Sequence, residues 1–167
     1  MLPFLISIPI LGAVVILQTA VLSKMQLLQG SADLMLLVLI AWTLQKQVKT
    51  AWLWSLVGGI MVSLVSAMPF GVLLGGYLLV TTLTLFLRQH IWKVAFLTML
   101  LAVFCGTLII HSLSLLARWL TGASLPVLSV FNLITLPSLL LNLLLSLPVY
   151  LVIRDLADWL YPEEIEA

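Results

Sequence analysis

The side chains that could do chemistry are few, and most lie inside apolar segments. His111 stands in a long uncharged run, with Ser112 and Ser114 beside it. A hydrolase needs a nucleophile, a base and an orienting group that converge on one point, and these three residues are too close in sequence for that arrangement. His, Cys, Asp and Glu residues show no metal-ligand spacing. We therefore interpret His111 as a hydrogen-bonding or interfacial residue, and we expect no enzyme, no catalytic residue, no metal and no cofactor.

A polar pocket is the second chemistry that these residues could provide. Asn132 and Asn142 lie in the last apolar segment together with Pro137 and Pro148. Amide groups, and carbonyls freed by proline, need partners in a membrane, so this segment should face protein or a cavity. The alternatives are hydrogen bonding between helices or a ligand pocket. The candidate polar pocket comprises Asp33, His111, Asn132, Asn142 and Tyr150.

The elements that position these residues are predicted to be membrane helices. The chain has 167 residues, of which 63% are hydrophobic and 8% charged, and its mean hydropathy is +1.29. Such values lie outside the range of soluble domains. We predict an all-α integral membrane protein, with about six transmembrane helices in residues 1–153 and a short acidic cytoplasmic tail with an interfacial helix in 154–167. The net charge of +1 gives no indication of nucleic-acid binding.

Charged residues mark the ends of six candidate crossings, because an ion is costly at the bilayer centre. The uncharged interval from Thr50 to Leu87 would be about 57 Å long as a helix, nearly twice the hydrocarbon thickness, and should form two helices. The second crossing has a core of only about 20 Å. It should therefore borrow length from the preceding residues, lie tilted, or be shielded by neighbours. The crossings are Leu2–Leu22, Asp33 to before Lys46, two within Thr50–Leu87, Val94–Ala117, and Val127–Ile153.

The basic residues predict the orientation of the chain. With six crossings, one side collects Lys46, Lys49, Arg88, Lys93 and Arg154, whereas Lys24 and Arg118 lie opposite. The positive-inside rule then places both termini in the cytoplasm. Six tryptophans near the predicted helix ends are typical of an interfacial aromatic belt. They are Trp42, Trp52, Trp54, Trp92, Trp119 and Trp159.

Small residues form a stripe upstream of a predicted turn. Ser55, Gly59 and Ser63 recur every four residues, and Met68-Pro69-Phe70-Gly71 is a good place for the chain to reverse direction. Small residues let helices approach closely in lipid. The stripe serves either packing within the chain or docking of a partner. The candidate residues are Ser55, Gly58, Gly59, Ser63, Gly71, Gly75 and Gly76.

The order of these features resembles the rod shape-determining protein MreD family over nearly the whole chain. The family's glycine followed by a Pro-Asp-Leu helix start is similar to Gln29-Gly30-Ser31-Ala32-Asp33-Leu34. Its glycine-rich third and fourth helices resemble the segment from Gly58 to Tyr77, and its last crossing resembles Leu136-Pro137, Asn142, Pro148-Val149-Tyr150 and Arg154. Two positions depart from the pattern: Ala32 replaces the proline, and Ser63 stands where many members carry an aspartate.

The resemblance implies a non-enzymatic scaffold of the bacterial cell-elongation machinery in the inner membrane. Such proteins bind the transmembrane segment of MreC, are surrounded by membrane lipid, and help connect MreB filaments to the peptidoglycan synthases RodA and a class B penicillin-binding protein. The family also shares its helical arrangement with the substrate-binding subunits of energy-coupling factor transporters. The alternative expectation is therefore a vitamin-binding subunit of such a transporter. Against it, the first helix has Ala13 and Ala20 but lacks the Ala-three-Ala pattern that those subunits commonly use.

Overall fold

The computed structural model describes residues 2–24, 26–90, 95–123 and 125–161. This part of the chain contains six α-helices, a short 3₁₀ helix at Leu22–Lys24 and no β-strand, which confirms the predicted all-α class. The helices are α1 (Leu2–Ala20), α2 (Leu34–Leu44), α3 (Ala51–Val65), α4 (Val72–His90), α5 (Ala95–Leu120) and α6 (Val127–Leu160), and α6 includes a π-helical turn at Phe131–Thr135.

The lengths of the helices divide them into two groups. Three of them, α4, α5 and α6, are long and apolar enough to cross a membrane. Large apolar side chains such as Leu64 and Leu144 point outward, with exposed fractions of 72% and 74%. An outer surface of this kind suits contact with lipid. The chain is therefore a helical protein embedded in a membrane. The shorter apolar helical segments are Leu5–Ala20, Leu34–Leu44 and Ala51–Val65.

The short helix α2 is the centre of the bundle. Every residue from Met35 to Leu44 is buried, and α2 packs against all five other helices. At about 1.5 Å per residue it is only about 16 Å long. Of the three ways expected to accommodate this segment, the structure shows shielding by neighbouring helices. The preceding residues add no helix, because Leu27–Gly30 forms a tight turn closed by backbone hydrogen bonds.

The predicted reversal after the third helix is confirmed. α3 ends at Val65 and α4 begins at Val72. Gly71 has a φ of +97°, a conformation that side chains disfavour. The hydroxyl of Ser66 accepts a hydrogen bond from the backbone N–H of Met68 at 3.1 Å, which fixes the entry to the turn. The long apolar run from Thr50 to Leu87 thus folds as two helices.

The end of the chain differs from the expectation of a separate interfacial helix. α6 continues without a break past Arg154 to Leu160. Ile153 and Ala157 are both buried, so contact with the core holds this last part of the helix in line. Trp159 points outward and is 73% exposed. Residues 162–167 of the predicted acidic tail lie outside the described residues.

Candidate functional site

The site begins at a tight junction between the segment before α2 and the helix α6. Gly30 is buried, and a Cβ atom added there would lie 2.6 Å from the backbone nitrogen of Ser138 and 2.7 Å from the backbone oxygen of Ile134. A side chain cannot approach backbone atoms so closely without displacing them. Glycine at this position therefore allows the segment 29–33 to lie directly on α6.

Pro137 explains why α6 can receive this segment. Proline has no N–H, so the carbonyl of Leu133 loses its α-helical partner four residues along the chain. The backbone N–H of Gln29 donates to that carbonyl at 3.1 Å. The hydroxyl of Ser138 accepts from the backbone N–H of Ser31 at 3.1 Å. The carbonyl that proline frees is thereby paired inside the protein, as a membrane environment requires.

A polar network centred on Asp33 extends the junction to other helices. The Oδ1 atom of Asp33 caps α2 by accepting from the backbone N–H of Leu36 at 3.0 Å. The hydroxyl of Tyr77 on α4 donates to both carboxylate oxygens, at 3.1 and 2.9 Å. Asn142 on α6 accepts from the backbone N–H of Asp33 at 2.8 Å and donates to Thr107 on α5 at 3.0 Å. The network therefore joins α2, α4, α5 and α6.

A cavity of about 620 Å³ lies at the same end of the bundle. All six helices or their connections border it. Gln18 on α1 contributes to its wall, and the side-chain oxygen of Gln18 also accepts from the backbone N–H of Met35 at 2.9 Å. The lining mixes hydroxyl, amide and charged groups with apolar side chains such as Val62, Leu73 and Ile110. A cavity with this lining can bind an amphipathic molecule.

The charged and titratable groups of the cavity lie at different depths. Asp33, Tyr77 and His111 border its inner part, and His111 Nδ1 lies 3.1 Å from the hydroxyl of Thr135. Arg118 is seven residues further along α5, about 10 Å closer to the end of the helix, and it is exposed. The cavity thus has a carboxylate near its floor and a guanidinium at its mouth.

The opposite end of the bundle is closed by aromatic packing. Trp42 and Trp54 are fully buried, and their rings stack with centroids 3.9 Å apart. Arg88 donates to the backbone oxygens of Thr43 and Gln45, which end α2. None of these residues lines the cavity, so the cavity does not extend to this end of the bundle. Trp42 and Trp54 lie near helix ends as expected, but neighbouring helices cover both, so they do not face outward as members of an aromatic belt do.

The small-residue stripe packs within the chain where the structure brings its members into contact. The hydroxyls of Ser55 and Thr81 are hydrogen-bonded between α3 and α4. A Cβ atom at Gly58 would lie 2.8 Å from the sulfur of Met35, and one at Gly59 would lie 3.0 Å from the Cα of Leu74. At Gly76 it would meet Ile110 at 2.6 Å. These glycines therefore allow close contacts of α3 with α2 and α4, and of α4 with α5.

Three other members of the stripe have different surroundings. The Ser63 side chain is buried, and its hydroxyl has no hydrogen-bond partner among the described residues. Gly71 serves the turn. A Cβ atom at Gly75 would have no neighbour within 4 Å, so Gly75 makes no close helix contact in the described part of the chain. The GxxxG spacing of Gly71 and Gly75 is therefore not a packing motif within this chain.

The structure brings together only part of the predicted polar pocket. Asp33 and His111 line the cavity, and Asn142 lies below it, fully buried in the network. Asn132 is exposed on the π-helical turn and does not line the cavity. Tyr150 also lies outside it, because it is eight residues beyond Asn142, about 12 Å further toward the closed end.

Several residues of the site escaped the prediction from sequence. Tyr77, Gln18 and Arg118 border the cavity, and Thr107 completes the network. A signal was present for Tyr77 and Gln18, since a polar side chain inside an apolar helix needs a hydrogen-bond partner. No three His, Cys, Asp or Glu side chains of the described residues are grouped as metal ligands would be. Comparisons with protein-family models, with curated proteins and with solved structures each find no match.

Proposed function

We propose that this chain is a non-enzymatic membrane scaffold of the bacterial cell-elongation machinery, similar to the MreD family. In this role it binds the transmembrane segment of MreC. Through MreC it helps link MreB filaments to RodA and a class B penicillin-binding protein. The proposal starts from the motifs that resemble the family, and the packing of those motifs supports it.

The observation that carries the proposal is where these motifs lie. The glycine and aspartate before α2 contact the Leu-Pro and asparagine of α6, through Gly30 on Ser138 and Asp33 on Asn142. Motifs separated by more than 100 residues in the chain thus form one packed junction. The polar groups of these motifs form hydrogen bonds between helices, and such bonds make the bundle rigid, as a scaffold needs to be.

We propose that the chain crosses the bacterial inner membrane six times, with both termini cytoplasmic. Among the described residues, four basic side chains lie toward the closed end and two, Lys24 and Arg118, lie at the cavity end. The four are Lys46, Lys49, Arg88 and Arg154. The excess of positive charge supports a cytoplasmic closed end. The cavity then opens toward the outer surface of the membrane.

The exposed face of α6 is the docking surface that we propose for the MreC helix. Leucines with exposed fractions between 39% and 74% follow one another at spacings of four and three residues. That repeat of 3.5 is the spacing at which one helix packs along another. A single transmembrane helix, as in MreC, is an occupant of matching shape. The face comprises Leu140, Leu144, Leu147 and Leu151.

Co-purification with tagged MreC from the same genome tests this proposal. The wild-type chain should form a stoichiometric complex in detergent. The double variant Leu140→Ala/Leu144→Ala should retain the fold and lose most of the bound MreC. Leu97→Ala/Leu101→Ala is the matched control, because both leucines are exposed on α5 at the same spacing. Absence of a complex with the wild-type chain would refute the scaffold proposal, and equal binding by both double variants would refute the docking face.

A small-molecule binding subunit of an energy-coupling factor transporter is the second candidate function. The cavity of about 620 Å³ favours it, because its size and its mixed polar and apolar lining suit a small organic ligand. Mass spectrometry of the purified chain would test it. A tightly retained vitamin would support the transporter function, and a chain that carries none and binds MreC would contradict it.

A further inference from the structure

The cavity carries a negative group at its floor and a positive group at its mouth, and neither has a role in the proposed scaffold function. Its floor carries the carboxylate of Asp33, which already accepts hydrogen bonds from Tyr77 and from the backbone N–H of Leu36. Its mouth carries the guanidinium of Arg118, which has no carboxylate partner among the described residues. An anion is therefore repelled from the floor and attracted to the mouth.

The walls between these two charges are suited to an apolar body. Val62, Leu73 and Ile110 line the cavity between hydroxyl groups that include Ser114. A volume of about 620 Å³ lies within the range typical of sites for small organic molecules. The cavity does not extend to the buried pair Trp42 and Trp54, and the hydrogen-bonded pair Asp33 and Tyr77 lies on its inner side.

We infer that the cavity is a binding site for an organic anion with an apolar body, such as a phosphate or carboxylate amphiphile. The anionic group pairs with Arg118 at the mouth, and the apolar body lies on the walls. Hydrogen-bond donors of the bound molecule face Asp33 and Gln18 at the floor. The same chemistry could come from an anionic lipid or from a water-soluble anion. This inference is independent of MreC binding.

Two probes distinguish the sources, both with the full chain in phosphatidylcholine nanodiscs. In the lipid arm, the discs contain a small fraction of phosphatidylglycerol, and native mass spectrometry counts the phosphatidylglycerol retained per chain. In the soluble arm, equilibrium dialysis measures the binding of 1-naphthyl phosphate. One retained phosphatidylglycerol identifies a lipid source, and saturable binding of 1-naphthyl phosphate identifies a soluble one.

Two pairs of variants test whether either probe occupies the cavity. Arg118→Gln should weaken binding about tenfold, as loss of one charge-assisted hydrogen bond does. Lys24→Gln removes a positive charge at the same end outside the cavity and should change binding by less than about twofold. Ser114→Phe fills the cavity and should abolish binding, whereas Ser112→Phe, on the exposed side of α5, should not.

Three results would overturn the inference. The first is that neither probe binds the wild-type chain. The second is that Arg118→Gln and Lys24→Gln weaken binding equally, which indicates adsorption to a charged surface. The third is that Ser114→Phe binds as well as Ser112→Phe while both retain the thermal stability of the wild type. The Arg118→Gln variant should co-purify with MreC as the wild type does. Failure of the anion-binding proposal can therefore be distinguished from failure of the scaffold proposal.

Discussion

Replacing Asn142 by leucine should destabilise the bundle, because this side chain joins three helices through two hydrogen bonds. Asn142 is fully buried, accepts from the backbone N–H of Asp33 at 2.8 Å and donates to Thr107 at 3.0 Å. Leucine has a similar volume but cannot make either bond. The buried N–H of Asp33 would be left without a partner in the middle of the junction.

The expected loss follows from these two bonds. An unpaired buried N–H costs about 1–3 kcal/mol. The hydroxyl of Thr107 keeps its bond to the carbonyl of Val103, so losing the Asn142 contact there costs only about 0.6 kcal/mol, the average for side-chain bonds between membrane helices. Together, Asn142→Leu should lower the free energy of unfolding by about 1.6–3.6 kcal/mol.

Unfolding in mixed micelles with increasing sodium dodecyl sulfate measures this quantity. Asn132→Leu is the matched control, since it makes the same substitution on the same helix at an exposed position. The control should change stability by less than about 0.5 kcal/mol. If Asn142→Leu unfolds within about 0.5 kcal/mol of Asn132→Leu, the junction does not hold the helices together as described.

Two further predictions concern glycines in close contact. Gly30→Ala should destabilise the chain by about 1–3 kcal/mol, because its Cβ would meet backbone atoms of α6. The control Gly75→Ala should be neutral or stabilising in the same unfolding assay. Equal effects of the two substitutions would contradict the junction geometry. Gly59→Leu should lower thermal stability, because the larger side chain would push α3 away from Leu74 on α4. The folded fraction of this variant should still bind MreC. Loss of MreC binding at wild-type stability would instead show that MreC contacts the small-residue stripe.

The turns and the helix content could be predicted from the sequence because their causes are local. Pro69 and Gly71 end one helix and allow the next, whatever the rest of the chain does. The need for partners around Pro137 and Asn142 also followed from their chemistry. The identity of these partners could not be predicted, because Gln29 and Asp33 are more than 100 residues away in sequence.

The interior of the site depended on the packing of the bundle and escaped sequence reasoning. Trp42 and Trp54 are of the residue type found in interfacial belts, but both are buried because α2 is short and central. Asn132 and Asn142 are chemically equal in the sequence, and only the rotation of α6 places one outside and the other in the core. The cavity is bordered by five helices and by the segment before α2, and no single segment specifies that arrangement.

The central claim, a scaffold that binds MreC, is tested most directly by the stoichiometry of a reconstituted complex. The purified chain and full-length MreC would be combined in nanodiscs and weighed by native mass spectrometry. The scaffold proposal predicts a complex of fixed ratio that persists with Leu97→Ala/Leu101→Ala and is lost with Leu140→Ala/Leu144→Ala. A wild-type chain that remains free of MreC under these conditions would contradict it.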